Sequence, residues 1–304
     1  MSFFKKNKIC VTHNGTFHTD DLFATATLSI LNNGNIKIIR TRDPKMFNKG
    51  DYVYDVGGEN NFDMDKFDHH QKGGGGEREN GIPYASFGLV WKKYGELICG
   101  DKEVSDLIDL NIVQPIDAKD SGFDIFTPKI KNVSPYSVEQ IFLSAIPTWK
   151  ENNKNIDKIF EKQLKKIIKL LKREIEIAKT DVEGRNIIIE AYKKAENKKI
   201  VITNIDFPRY LFQNTLSQFP EPVYFVYPSS HSHSWKVEAI RKSSETMESR
   251  KLFPEEWRGS MEVSGKLREI TGVSDAQFCH QNGFFLTAGS REGAIKLAEK
   301  ALIA

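Results

Sequence analysis

The five residues Phe67-Asp68-His69-His70-Gln71 limit what this chain can fold into. Two adjacent imidazoles behind a carboxylate are costly to bury unpaired and useful around a metal ion. A stable fold must bring other polar groups to meet them. Three segments have the composition for it: Thr12-His13-Asn14-Gly15-Thr16-Phe17-His18-Thr19-Asp20-Asp21, Val53-Tyr54-Asp55-Val56-Gly57-Gly58, and Pro115-Ile116-Asp117-Ala118-Lys119-Asp120-Ser121-Gly122.

The pattern around these segments predicts an α/β fold. Ile9-Cys10-Val11 is a short apolar strand that delivers His13 at its end. Thr19 or Asp20 can cap a helix through about Leu31, with Leu22, Phe23, Ala26 and Ile30 on its apolar face, and Asn32-Asn33-Gly34 stops it. Ile36 to Ile39 and Tyr52 to Tyr54 are further strands. Strand, helix, strand is the signature of a parallel sheet, in which ligands collect at the carboxyl ends of strands. His13 and Asp55 both fall at such ends. Asp21 reads as a helix cap or a surface charge, and Asp63 and Asp65 as loop residues. Gly73 to Gly76 form four consecutive glycines, a composition that favours a disordered loop over a flap beside the site. Helices are expected from Pro83 to Ile98 and from Asp101 to Val113, the second leading to Asp117.

Lys154 to Glu196 reads as one long helix. Phe160, Leu164, Ile167, Leu171, Ile175, Ala178 and Val182 form its apolar stripe, with lysines and glutamates on the solvated face. It divides the chain into a domain over 1–150, a linker helix over 151–197 and a smaller C-terminal domain over 198–304. The last of these holds strand candidates at Lys199 to Thr203, Val223 to Tyr227 and Ser234 to Ile240, and a final helix capped by Ser290. Phe284-Phe285 reads as core rather than as a base-stacking platform, and His231 and His233 as part of a solvated turn. The three cysteines, Cys10, Cys99 and Cys279, are far apart and each lies in an apolar setting, so neither a zinc ribbon nor a disulfide framework is expected. No run approaches the ~18 apolar residues a membrane helix needs, and Met1 to Lys8 lacks a signal-peptide core, which points to a cytoplasmic protein. The net charge of +3 is compatible with a polyanionic substrate without requiring one.

A pair of divalent ions needs several oxygen or imidazole ligands, with positions left open for water and substrate. His13, His18 and Asp20 leave one loop, Asp55 another strand end, and His69 and Asp117 complete a basket without cysteine; Asp120 is the other candidate beside Asp117. Mixed oxygen and imidazole ligands favour Mn²⁺, with Mg²⁺ or Zn²⁺ less specifically indicated. These residues resemble the DHH phosphoesterase superfamily, whose Asp-His-His stands here as Asp68-His69-His70. His13 through His18, Asp55-Val56-Gly57-Gly58 and Phe67 through Gln71 are similar more closely to the branch containing the melanocyte proliferating gene exonuclease. That branch also has segments like Trp257-Arg258-Gly259 and Phe278 through Ala294, so the resemblance spans nearly the whole chain.

The resemblance implies an N-terminal parallel-sheet domain of DHH type, a linker helix, and a smaller C-terminal α/β domain of the DHH-associated kind. It implies that His13, His18 and Asp55 hold one ion, and Asp20, Asp55, His69 and Asp117 the other, with Asp55 bridging. His70 would face the phosphate or the leaving group, and Asp68 would orient a histidine. His280, Gly283, Gly289 and Arg291 would meet substrate, with Arg241, Arg250 and Arg258 weaker candidates. The chain departs from the family in one place: aspartates are expected four and six residues after the first histidine, whereas here His18 and Asp20 follow His13 by five and seven. The implied function is a metal-dependent phosphodiesterase, a 3′–5′ exonuclease on RNA or short oligonucleotides. Two other readings use the same residues: hydrolysis of a small phosphorylated compound such as pyrophosphate, a cyclic dinucleotide or a nucleoside phosphate, and a non-catalytic RNA-binding or regulatory protein with a structural metal.

Overall fold

The computed structural model of the protein describes residues 7–151 and 155–304. The basic N-terminal segment up to residue 6 and the expected helix start at Lys154 lie outside the described residues. The chain forms two compact units, Met1–Lys179 and Thr180–Ala304. Their division falls inside the long helix rather than at its two ends.

The first unit begins with β1 (Lys8–Thr12), α1 (Thr19–Leu31), β2 (Ile36–Arg40), a short α2 (Pro44–Phe47) and β3 (Tyr52–Tyr54). β4 (Asn60–Asn61) and β5 (Lys66–Phe67) complete a five-stranded sheet in the order β2-β1-β3-β5-β4. β2, β1, β3 and β5 are parallel, and only the edge strand β4 runs antiparallel to its neighbour. Three parallel strands therefore end side by side at His13, Asp55 and Asp68. α1 is capped at His18, one residue before the expected position. The Asp21 carboxylate reaches back to accept the His18 N–H at 3.0 Å, which satisfies one of the free amides of the first turn. The helix is buried from Thr19 to Ser29 and packs on α3 (Ser86–Cys99).

The tetraglycine segment is an ordered turn. Gly74 N–H donates to the Gln71 carbonyl, and Tyr84 N–H to that of Gly76. Gly75 lies so close to the Tyr84 backbone that a Cβ would stand 2.4 Å from its carbonyl oxygen. Glycine here permits a close approach, which composition alone does not distinguish from disorder.

The next helical run continues well past Val113. α4 (Lys102–Ile108) passes through a wide π turn over Asp109–Val113 into α5 (Gln114–Asp120). The Gln114 N–H reaches five residues back to Asp109. Pro115 lacks an N–H and its ring would crowd the carbonyl four residues earlier in a regular helix. A wide turn relieves that clash and lets the helix proceed. After α6 (Val138–Leu143), α7 (Ile156–Lys194) runs for 39 residues with the expected apolar stripe buried. Among the described residues no helix is long and apolar enough to cross a membrane. All three cysteines are free and buried.

The second unit adds β6 (Ile200–Ile202), α8 (Arg209–Leu216), β7 (Tyr224–Pro228), β8 (Trp235–Ala239), α9 (Lys266–Thr271), β9 (Ala276–Cys279), β10 (Phe285–Ala288) and α10 (Arg291–Ile303). Its sheet has the order β6-β7-β8-β10-β9, parallel only between β6 and β7. One face carries Tyr224, Val226, Val237, Leu286 and Cys279 into a core shared with Leu267, Leu297 and Ala298 of α9 and α10. On the other face, Val201, Phe225 and Tyr227 are covered by Phe212 and Leu216 of α8 and by Ile188 of α7.

Candidate metal centre

Asp55 sits at the centre of the cluster. It follows β3 with φ +54°, in the left-handed region that aspartate and asparagine tolerate best among non-glycine residues. One of its oxygens, Oδ2, lies 3.1 Å from His13 Nε2; the other, Oδ1, lies 3.3 Å from His69 Nε2. His13 Nδ1 is 3.1 Å from the Asn14 carbonyl, to which it donates, so its Nε2 presents a lone pair to two carboxylates, Asp55 and Asp21. His69 Nε2 also lies 3.3 Å from Asp120 Oδ2. His13 Nε2, His69 Nε2, Asp21 Oδ2 and both Asp55 oxygens are buried without a hydrogen-bond partner among the described residues. Lone pairs aimed at one another across about 3 Å need a cation or a proton between them, and the mixture of imidazole and carboxylate donors suits a divalent metal.

Three groups of potential ligands are close enough to hold an ion: His13, His18 and Asp55; Asp55, His69 and His70; and Asp20, His69 and Asp120. Asp20 is fully buried, and its oxygens accept the Ser86 and Phe87 N–H groups at 3.1 and 2.7 Å. The N-terminus of α3 thus fixes this carboxylate beside His69. His18 stands at the entrance, its side chain 52% exposed and 3.8 Å from Asp120 Oδ1.

Asp117 does not join the cluster. Its Oδ1 accepts the Gly88 N–H at 3.0 Å, and its Oδ2 lies 2.8 Å from Arg78 Nη2. A side chain at Gly88 would collide with this carboxylate. Of the two candidates for the fourth position, Asp120 is the one beside His69, and Asp117 pairs with Arg78. Because the helix continues through Pro115, its last residue, not its fourth, reaches His69.

Asp68 is buried and accepts from Gly58 N, His69 N and His70 N, and its Oδ1 holds His70 Nδ1 at 2.7 Å. It orients His70, whose other nitrogen is left for the 62% exposed outer side of the ring. Burial would raise the Asp68 carboxyl, but His70 and the amides outweigh it and hold the group below its ordinary range. The Asp68 contact in turn holds the His70 imidazole above its usual pKa against burial.

The sequence reads Asp21 as a helix cap or a surface charge. It does cap α1, but it is fully buried and its free Oδ2 is 3.4 Å from His13 Nε2. Its position three residues after the cap, in a helix that starts at a strand end, was the available signal. Burial pushes its carboxyl up to about 7, against the pull of His13. Burial and then the neighbouring carboxylates Asp120 and Asp55 raise Asp20 as well; burial and Asp55 raise Asp120. Burial would lower His13, but Asp55 and Asp21 raise it overall. Asp55, in contrast to Asp20, Asp21 and Asp120, is held low, because His13 and His69 outweigh its burial.

These shifts set a sign. Asp20, Asp21 and Asp120 bind more protons folded than unfolded, and so does His13, so the metal-free protein should lose stability as pH rises from about 6 to 8. Metal binding needs the same groups deprotonated and should reverse the trend. Melting of chelator-treated protein at both pH values, with and without added Mn²⁺, should give a metal-induced rise on the order of 5 °C at the higher pH and a smaller one at the lower. Equal rises at both would remove these carboxyls from the ligand set.

In the second unit, His280 Nδ1 accepts the Asn282 N–H at 3.1 Å. Gly283 has φ +67° and leaves room for Arg258, whose Nε donates to the Phe253 carbonyl, so Arg258 is engaged in packing this turn. Gly289 N–H donates to the Asp275 carbonyl. Arg291 is exposed at the start of α10, where the Asp275 carboxylate accepts the Ser290 hydroxyl and lies against Gly293.

The model of the MYG1 exonuclease family, described as Uncharacterised protein family (UPF0160), matches residues 8–302. The chain is 27% identical to "MYG1 exonuclease" of Mus musculus, over 96% of this chain and 84% of that protein. It is 30% identical to "MYG1 protein" of Dictyostelium discoideum, over 97% and 96%, and 30% identical to "MYG1 protein" of Chlamydia trachomatis, over 92% of each. Arising from a family match that runs almost end to end, the conclusion is that this chain belongs to the MYG1 exonuclease family (UPF0160).

Proposed function

We propose that the protein is a metal-dependent phosphodiesterase of the DHH superfamily, acting as a 3′–5′ exonuclease on RNA or short oligonucleotides. The observation that carries this reading is Asp55, a single carboxylate with one oxygen beside His13 and the other beside His69. That geometry supports a bridging role, with His13, His18 and Asp55 on one side and Asp20, Asp55, His69 and Asp120 on the other. A pair of divalent ions held there, Mn²⁺ favoured, would supply water activation and charge neutralisation at a phosphoryl group. The chain's part is to hold those ligands rigidly through the α3 amides on Asp20 and the backbone bonds around Asp68. His70, fixed by Asp68 and kept above its usual pKa, can donate a proton to the leaving oxygen.

The exonuclease names of mammalian relatives support a nucleic-acid substrate. A cleft of about 580 Å³ beside His69, lined by Gly73 to Gly76, Tyr84 and Ser121, has room for one nucleotide-sized group, which suits removal of single terminal residues. The exposed His18 and His70 count against a structural metal, whose site would be closed.

The test is hydrolysis of a 5′-labelled short RNA by metal-stripped protein, with Mn²⁺, Mg²⁺ or Zn²⁺ restored singly. A one-nucleotide ladder shortening from the 3′ end is expected. Asp120→Asn should lower turnover by about 100-fold or more, while Asp117→Asn should act mainly on stability. The reverse order would return the fourth ligand to Asp117. No RNA cleavage with any metal would turn the assignment to a small phosphorylated substrate.

A further inference from the structure

Phe284-Phe285 does not lie in the core of the second unit. The register pairs Lys236 with Thr287, Glu238 with Phe285, and Thr287 with Phe278. Strand alternation therefore puts Phe278, Phe285, Thr287 and Lys236 on the face opposite Val237, Leu286 and Cys279. α8 and α7 cover that face over β6 and β7. Over β10 and β9 its side chains are only partly buried.

The partly buried groups are planar. The Phe278 ring lies 6.0 Å from Phe285 and 6.3 Å from His280; His280 lies 4.6 Å from Phe284; and the Arg209 guanidinium sits 4.9 Å over the Phe284 ring. Arg209 is held in place by the buried Glu238 at 2.6 Å. His280 Nδ1 accepts a backbone N–H, which assigns the proton to Nε2 and makes that atom a donor. Aromatic rings, a fixed guanidinium and an imidazole donor suit flat π faces joined by an anionic backbone, and Lys236 at the margin is paired with Asp206. An aliphatic protein segment would meet no aliphatic side chain among these groups.

We propose that this face, built on Phe278, Phe284, Phe285, His280 and Arg209, stacks the bases of a single-stranded oligonucleotide. The inference rests on the nucleic-acid reading above and adds how the strand is gripped independently of its sequence. Stacking on an aromatic side chain contributes enough per base that losing one ring weakens binding by about five-fold or more.

The test uses the full chain in chelator and fluorescence anisotropy of a labelled eight-nucleotide RNA against an abasic oligonucleotide of equal length and charge. The intact protein should bind the base-bearing strand at least about ten-fold more tightly. Phe278→Leu and Phe284→Leu should shrink that preference, and Phe284→Trp, which keeps a π face, should preserve it. The loss in the leucine variants together with retention in the tryptophan variant separates stacking from a folding defect. Equal binding of both strands, binding of neither, or leucine variants that keep the preference would overturn the platform. Hydrolysis of the same RNA with metal restored separates the two failures. Cleavage without base preference removes only the platform, and absence of cleavage removes the nuclease reading as well.

Discussion

Asp55→Asn should lower metal-dependent turnover by at least about 10³-fold while the protein stays folded. Asparagine matches aspartate in shape and accepts φ +54° equally well, so the backbone at the end of β3 has no reason to move. What changes is charge. Among the carboxylates proposed as ligands, Asp55 is the one held below its ordinary range, because the imidazoles of His13 and His69 lie against its two oxygens and outweigh its burial. The amide carries no charge and offers only one oxygen. On the two-ion reading the amide could not serve both ions, and His13 loses a partner that favours its charged form. Elemental analysis after loading should find at most one tightly held ion per chain, and circular dichroism should be unchanged. Full occupancy with full turnover would remove Asp55 from the bridging position.

Arg78→Ala should cost the first unit about 3–5 kcal/mol, or a fall in melting temperature on the order of 10 °C. The Arg78 side chain is buried. Its Nη2 lies 2.9 Å from Asp109 and 2.8 Å from Asp117, its Nη1 donates to the Pro83 carbonyl, and its guanidinium stacks 4.0 Å over Tyr84. It thereby ties the tetraglycine turn to α5 and to the wide turn before it. Removing it leaves Asp117, fully buried, with only the Gly88 N–H. Burial already pushes the Asp117 carboxyl up to about 7 against the pull of Arg78, so without Arg78 it takes a proton and remains a buried acid short of partners, and Arg78→Ala combined with Asp117→Asn should recover part of the loss. Denaturant unfolding of the two variants measures this directly. A loss below about 1 kcal/mol in the single variant would mean that water reaches Asp117 in its place.

The residues at strand ends were legible because two simple periodicities converge on them. Short apolar strands alternate with polar loops, and a parallel sheet gathers those loops at one edge. That reasoning finds His13 and Asp55 without coordinates, whereas Asp68 to His70 stand out by composition and the two-residue strand before them is too short to read from the sequence. It does not find Asp120 in preference to Asp117, because Pro115 signals the end of a helix that in fact absorbs it. Asp21 was hidden for another reason: cap chemistry explains one of its oxygens and says nothing of the other. The order of the tetraglycine turn comes from Tyr84 and Arg78, beyond the reach of composition. Phe284-Phe285 is an apolar run, and an apolar run implies burial only if something covers it. The helices of the second unit cover one face of its sheet fully and the other in part.

The wide turn at Asp109–Val113 makes chain length a chemical variable. Each helical residue advances the next by about 100°, and the turn holds one residue more than a regular helix would. That extra residue sets the azimuth at which α5 leaves it. Asp117 therefore faces Arg78, and Asp120 faces His69. Losing a single residue there, with every ligand identity intact, would rotate both carboxylates off their partners. In this stretch the protein is constrained by a count as strictly as it is elsewhere by a side chain.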